Sequence, residues 1–237
     1  MEATERAQTP AGHWWKEPER VAEYIERWDR EAEDTKRIFD VLTSIIPHDR
    51  QAAIRVLDVG SGHGVVAAAV LDAFPNATAV GLDISEAMME EGSERMKRFG
   101  SRFRYQVGDF ADGVLPDELG TFDVVVSSRA IHHLTGDGKK SLFTSIYEHL
   151  DNGGCFLDID NMRPRDDFMR GRYSYAADPN AAPRPPRPAD APPRQGGGRE
   201  FPEPVENQLD YLTAAGFPHV DCVWKSLGRA LIGGFKE

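Results

Sequence analysis

A short apolar run ends in three glycines set two residues apart, and a longer apolar run follows: Val56-Leu57-Asp58-Val59-Gly60-Ser61-Gly62-His63-Gly64, then Val65–Phe74. This reads as a buried strand, a tight turn and a helix. Glycines let bare backbone approach a ligand closely. The first N–H groups of the helix offer partial positive charge to an anionic group. Taken alone, the stretch suits either a dinucleotide or an adenosyl cofactor. The dinucleotide fingerprint wants G-x-G-x-x-G; here Val65 holds the position of its third glycine.

The pattern repeats downstream. Strands are expected at Ile54–Val59, Ala77–Asp83, Phe103–Val107, Phe122–Ser127 and Cys155–Ile159, with helices at Val65–Phe74, Glu86–Phe99 and Lys139–Leu150 between them. Asn152-Gly153-Gly154 reads as the break before the fifth strand. Alternating strands and helices predict a parallel sheet covered on both faces. A helix at about Pro204–Ala215 and two closing strands, Val220–Lys225 and Arg229–Phe235, complete the α/β pattern. Upstream, Val21, Tyr24, Trp28, Ala32, Thr35, Ile38, Leu42 and Ile45 recur at three- and four-residue steps, predicting one long amphipathic helix or two shorter ones.

Composition narrows the function. The 237 residues suit one α/β domain with small additions, and 40% apolar residues suffice for a core. A net charge of -11 argues against gripping a long phosphate backbone, so a small-molecule partner is expected and nucleic acid is not. The two cysteines, Cys155 and Cys222, lie far apart and suit a reducing cytoplasm. The charged N-terminus carries no secretion signal, and no apolar run approaches a membrane span. Residues 176–200 hold seven of the 16 prolines and no Val, Ile, Leu, Met or aromatic residue, which predicts a flexible insertion.

The first motif, an acidic residue followed by x-G-x-G-x-G, resembles that of class I S-adenosylmethionine-dependent methyltransferases. Three more segments match in order. Gly81-Leu82-Asp83-Ile84-Ser85 resembles the second-strand motif, and Gly108-Asp109-Phe110 the loop after the third strand. Phe122–Ser127 with Ala130-Ile131-His132-His133-Leu134 resembles the fourth strand and its sequel. The match covers roughly residues 50–160. The resemblance implies a Rossmann-like seven-stranded, mostly parallel sheet with an antiparallel last strand, and S-adenosyl-L-methionine as cofactor. It implies that Gly60, Ser61 and Gly62 contact the methionine part and Asp83 the ribose hydroxyls. Asp109 and Phe110 would meet the adenine, and Ser128 and Arg129 the methionine end. Asp58 and Ile84 belong to the same shell. It also implies an N-terminal helical lid, residues 1–48, over a cofactor-binding domain, 49–237. Trp14, Trp15 and Tyr24 of that lid are acceptor-pocket candidates, and exposed aromatics there would suit a homodimer.

Methyl transfer asks for positioning and exclusion of water, with a base where the acceptor must lose a proton. His132 and His133 are the candidate bases, because they follow the fourth strand. Asp160 is expected on the acceptor side. Asp160-Asn161 is similar to the metal-binding pair of catechol-type O-methyltransferases. Those enzymes also use an acidic residue after the fourth strand, where this chain has Ser127-Ser128-Arg129, so no metal site is expected. The rival readings are a transfer-RNA wobble-uridine-modifying enzyme of similar fold, a nicotinamide enzyme, and a non-catalytic S-adenosylmethionine binder.

Overall fold

The computed structural model describes residues 32–177 and 200–237. Trp14, Trp15, Tyr24 and Trp28 lie outside the described residues, as does residues 178–199 of the proline-rich stretch.

Among the described residues, seven strands form one sheet: β1 (Arg55–Val59), β2 (Thr78–Asp83), β3 (Phe103–Val107), β4 (Phe122–Ser128), β5 (Leu150–Asn161), β6 (His219–Ser226) and β7 (Arg229–Phe235). Their order is β3-β2-β1-β4-β5-β7-β6. The first five are mutually parallel, and β7 runs antiparallel to both β5 and β6. The sheet reverses its winding between β1 and β4. Open α/β sheets bind ligands outside the strand carboxyl ends at such a switch point.

Both faces are covered, as a central parallel sheet requires. On one face α1 (Ala32–Ser44) and α2 (Val65–Ala73) bury Ile38, Leu42, Val66, Val70 and Leu71 against Val56, Val124, Val126, Cys155 and Leu157. The described part of the expected lid is therefore a layer of the domain's own core. On the other face α4 (Gly136–Glu148) and α6 (Val205–Ala214) bury Leu142, Phe143, Ile146 and Leu212 against Leu57, Val125, Phe156 and Ile232. Strand neighbours alternate between the two clusters, the period-2 signature of a sheet buried on both sides.

Four elements depart from the sequence pattern. Helix α4 starts at Gly136, three residues before the expected Lys139, because Thr135 caps it: its Oγ1 accepts from the Gly138 N–H at 3.2 Å. Asn152–Gly154 is strand rather than break. The residue after β7 recruits it: Gly153 N–H donates to Lys236 O, and Lys236 N–H to Gly154 O, both at 2.9 Å. A helix not foreseen, α5 (Asp167–Ala177), follows β5 and leaves Phe168 76% and Tyr175 53% exposed. Helix α3 (Glu86–Met96) ends before Phe99, and 3₁₀ turns carry the chain to β3.

Candidate functional site

The carboxyl ends of β1, β2, β4 and β5 deliver the candidates to one edge. After Val59 the chain turns through Gly60, Gly62 and Gly64, all at positive φ (69°, 53° and 78°), a region L-residues enter only with strain. At Gly60 a side chain is also excluded by space: a Cβ there would lie 2.2 Å from the Ala130 side chain and 3.3 Å from the Phe110 ring. The glycine loop, the loop after β3 and the segment after β4 thus meet at Gly60.

Two carboxylates hold this loop. Asp58, 1% exposed, accepts on Oδ2 from Ser61 Oγ at 2.9 Å and from Ala67 N–H at 3.2 Å, tying the loop to the first turn of α2. Burial pushes the Asp58 carboxyl up to about 7; the Ser61 and Ala67 bonds act against this, and the nearby Asp83 charge adds to it. Asp83, half-buried at the end of β2, accepts from Gly62 N–H at 2.7 Å and from Ser85 N–H at 2.8 Å. Burial raises its pKa too, against those backbone bonds. The family resemblance implies a ribose role for Asp83; its bond to Gly62, which locks the loop, was not legible in the sequence. Gly81 was also missed. It lies opposite Asp58 on β2, and a Cβ on it would sit 2.7 Å from Ser61 Oγ. A glycine inside a strand is the signal for such a close approach.

The donor set fits an adenosyl cofactor. Asp58 Oδ1 and Ser128 Oγ are buried with no hydrogen-bond partner, and buried polar atoms left open call for a ligand or water. The Asp83 carboxylate keeps acceptor capacity beyond its backbone bonds, which a ribose hydroxyl would suit. Phe110 is half-buried with its ring beside Gly60, whereas Asp109 is exposed and caps its own turn, accepting from Ala111 N–H at 2.8 Å. Ile84 is half-buried next to Asp83. Arg129, at φ 55°, turns the chain out of β4 and is held by its N–H on Ile159 O at 2.9 Å.

On the far side of that turn a 3₁₀ segment, Ile131–His133, presents both histidines. Their rings lie 4.2 Å apart, centroid to centroid. His132 is 4% exposed, and its Nδ1 lies 2.5 Å from Asp160 Oδ1. Its backbone N–H donates to Asp160 Oδ2 at 2.7 Å. Asp160, expected to face an acceptor, is 1% exposed and turned toward His132 and the Asn161 N–H. Burial opposes protonation of His132, but Asp160 outweighs it and holds the imidazole pKa above its ordinary value. Burial likewise works to raise Asp160, yet the imidazole and the backbone donors keep it below the ordinary carboxylate range.

A methyltransferase-domain family model matches residues 56–154. A carboxy-S-adenosyl-L-methionine synthase from Campylobacter curvus is 25% identical over 122 residues, 52% of this chain and 49% of that protein. A demethylmenaquinone methyltransferase from Symbiobacterium thermophilum is 30% identical over 156 residues, 63% of this chain and 55% of that protein. The chain spans about half the length of the curated relatives it matches. Human N-acetylserotonin methyltransferase, solved in complex with S-adenosylmethionine, shares the fold. Its TM-score is 0.64 at 17% identity, covering 96% of this chain and 60% of that one. With the glycine loop, the β2 carboxylate and the seven-strand order in one frame, residues 56–154 match a methyltransferase domain, and the chain resembles the class I S-adenosylmethionine-dependent methyltransferases.

Proposed function

We propose that the chain transfers a methyl group from S-adenosylmethionine to a small-molecule acceptor, with His132 as the base. The observation that carries this reading is the His132–Asp160 pair, fixed by two bonds beside the segment that touches the glycine loop. Gly60, Ser61, Gly62 and Ser128 would hold the methionine portion, Asp83 the ribose and Phe110 the adenine. When bound, the cofactor supplies a methyl already activated by its sulfonium.

The protein then has to orient the acceptor and take its proton. Asp160 on Nδ1 fixes the imidazole so that Nε2 is the basic nitrogen. A proton leaving an acceptor hydroxyl or ammonium would pass to Nε2, and the buried Asp160 carboxylate would balance the imidazolium. The acidic balance of the chain favours a small acceptor over nucleic acid. Among the described residues no helix is long and apolar enough to cross a membrane, and both cysteines are free, which supports a cytoplasmic setting.

Two measurements test the proposal. In calorimetry with S-adenosylhomocysteine, Asp83→Ala should weaken binding by roughly tenfold or more, as loss of charged hydrogen bonds predicts. No heat from wild type with either S-adenosylmethionine or its demethylated product would end the reading. In methyl-label transfer to a panel of phenols, carboxylates and amines, His132→Gln should cut kcat by about 100-fold or more with cofactor affinity retained.

A further inference from the structure

Behind His132 lies a lysine with no exposed side-chain surface. Lys139 sits on α4 three and four residues before Leu142 and Phe143, on the buried face of the helix. An ammonium in that position is costly unless paired. Its partners come from the chain that returns to the domain before α6. Lys139 Nζ donates to Phe201 O and lies 3.9 Å from Glu203 Oε2. Phe201 N–H in turn donates to His132 O at 2.7 Å. The two backbone groups of Phe201 are therefore bonded to the lysine on one side and to the histidine turn on the other. Glu203 is fixed independently: its carbonyl accepts from Arg163 N–H at 2.9 Å, and its Oε1 from Tyr211 Oη at 3.2 Å.

We propose that Lys139 is a positioning residue whose buried ammonium clamps Phe201–Glu203 onto the turn that carries His132. This rests on the reading of His132 as the base and adds the device that holds the base in place. The charges around the imidazole divide by element. Asp160 from β5 and Glu200 from the returning segment favour its protonated form, and Lys139 from α4 opposes it. His133 is its neighbour within the turn. Around the ammonium stand Glu203, Asp160 and Asp158; the last is fully buried on β5 with neither carboxylate oxygen hydrogen-bonded. Removing the ammonium should both free the segment and make His132 a stronger base.

The test needs no acceptor. In Lys139→Met, which keeps length and apolar bulk, amide hydrogen exchange at Phe201 should quicken by about tenfold, the worth of one charge-assisted bond. The His132 imidazole titration, followed by NMR of the full chain, should move up by about 0.5 pH or more as the repelling charge is lost. Lys139→Arg should return the titration toward wild type. S-adenosylhomocysteine affinity should stay within about threefold, because Lys139 touches neither the glycine loop nor Asp83. Should Lys139→Met not fold, Glu203→Gln carries the test and should also quicken Phe201 exchange. Wild-type exchange at Phe201 together with a wild-type His132 titration in these variants overturns the proposal. A failure of the base itself appears elsewhere, as undiminished turnover in His132→Gln, and leaves the exchange results unaffected.

Discussion

Asp58 is a carboxyl whose surroundings have moved it almost to neutrality, from an ordinary 3.8 to about 7. Only one of its oxygens is hydrogen-bonded, so burial wins over the two bonds it accepts. The sign of the consequence is fixed. A folded-state pKa above the unfolded value means the native state holds the proton more tightly. The stability this group contributes is complete below about 3.8 and is lost as pH rises through about 7. In full the displacement is worth about 4 kcal/mol. Urea unfolding of wild type minus that of Asp58→Asn should therefore fall by about 2–3 kcal/mol between roughly pH 5 and 8. A flat difference would mean that Asp58 titrates as an ordinary surface acid. The comparison with Asp58→Asn cancels the contribution of Asp158, which burial displaces in the same direction, and retains with Asp58 its coupling to Asp83.

At the scale of elements, helix α4 carries both the apolar stripe that covers one sheet face and the buried lysine behind the histidine turn. Its start depends on the Thr135 cap, since Gly136 and Gly138 in the first turn contribute nothing of their own to helix formation. Thr135→Ala should cost about 1 kcal/mol of stability, read as a lower midpoint in thermal unfolding; no change would show that packing alone sets the helix start. Elements of this kind were legible in the sequence where periodicity is strong. The five parallel strands and the closing hairpin appear within a residue or two of their expected bounds, except β5, which extends in both directions. The misses have separate physical causes. The cap at Thr135 overrode the poor propensity of glycine, and the backbone of Lys236, just past β7, drew Asn152–Gly154 into β5. Helix α5 buries too little of Phe168 and Tyr175 to leave an apolar stripe. In the site, the glycine loop and Asp83 announced themselves by spacing. The pairing of His132 with Asp160, 28 residues apart, and of Lys139 with Phe201, 62 residues apart, depends on tertiary contact and has no local signature. A lysine in register with Leu142 and Phe143 was the one available hint.

For the molecule as a whole, a ligand that clasps the edges of β1, β2 and β4 at once should stabilise the entire sheet, because the native state alone presents these groups together. At about 100 times its Kd, S-adenosylhomocysteine should add about 2.7 kcal/mol to unfolding. For a chain of this size that corresponds to a rise in Tm of roughly 5–10 °C. A nicotinamide dinucleotide at the same concentration should give none. The reverse pattern would move the chain out of adenosylmethionine chemistry despite its fold.

The order in which the sheet is wound also bears on how the protein is made. Strand β5 carries Asp160, yet one of its two edges is closed only by β7, whose first residue, Arg229, lies directly opposite Asn161. On a ribosome, 68 further residues must emerge before that edge gains its neighbour, and until then the backbone edge of a 12-residue strand stands open to any passing chain. The histidine and its carboxylate thus reach a settled environment among the last events of synthesis, and nascent chains stalled short of residue 229 should be the species that chaperones retain.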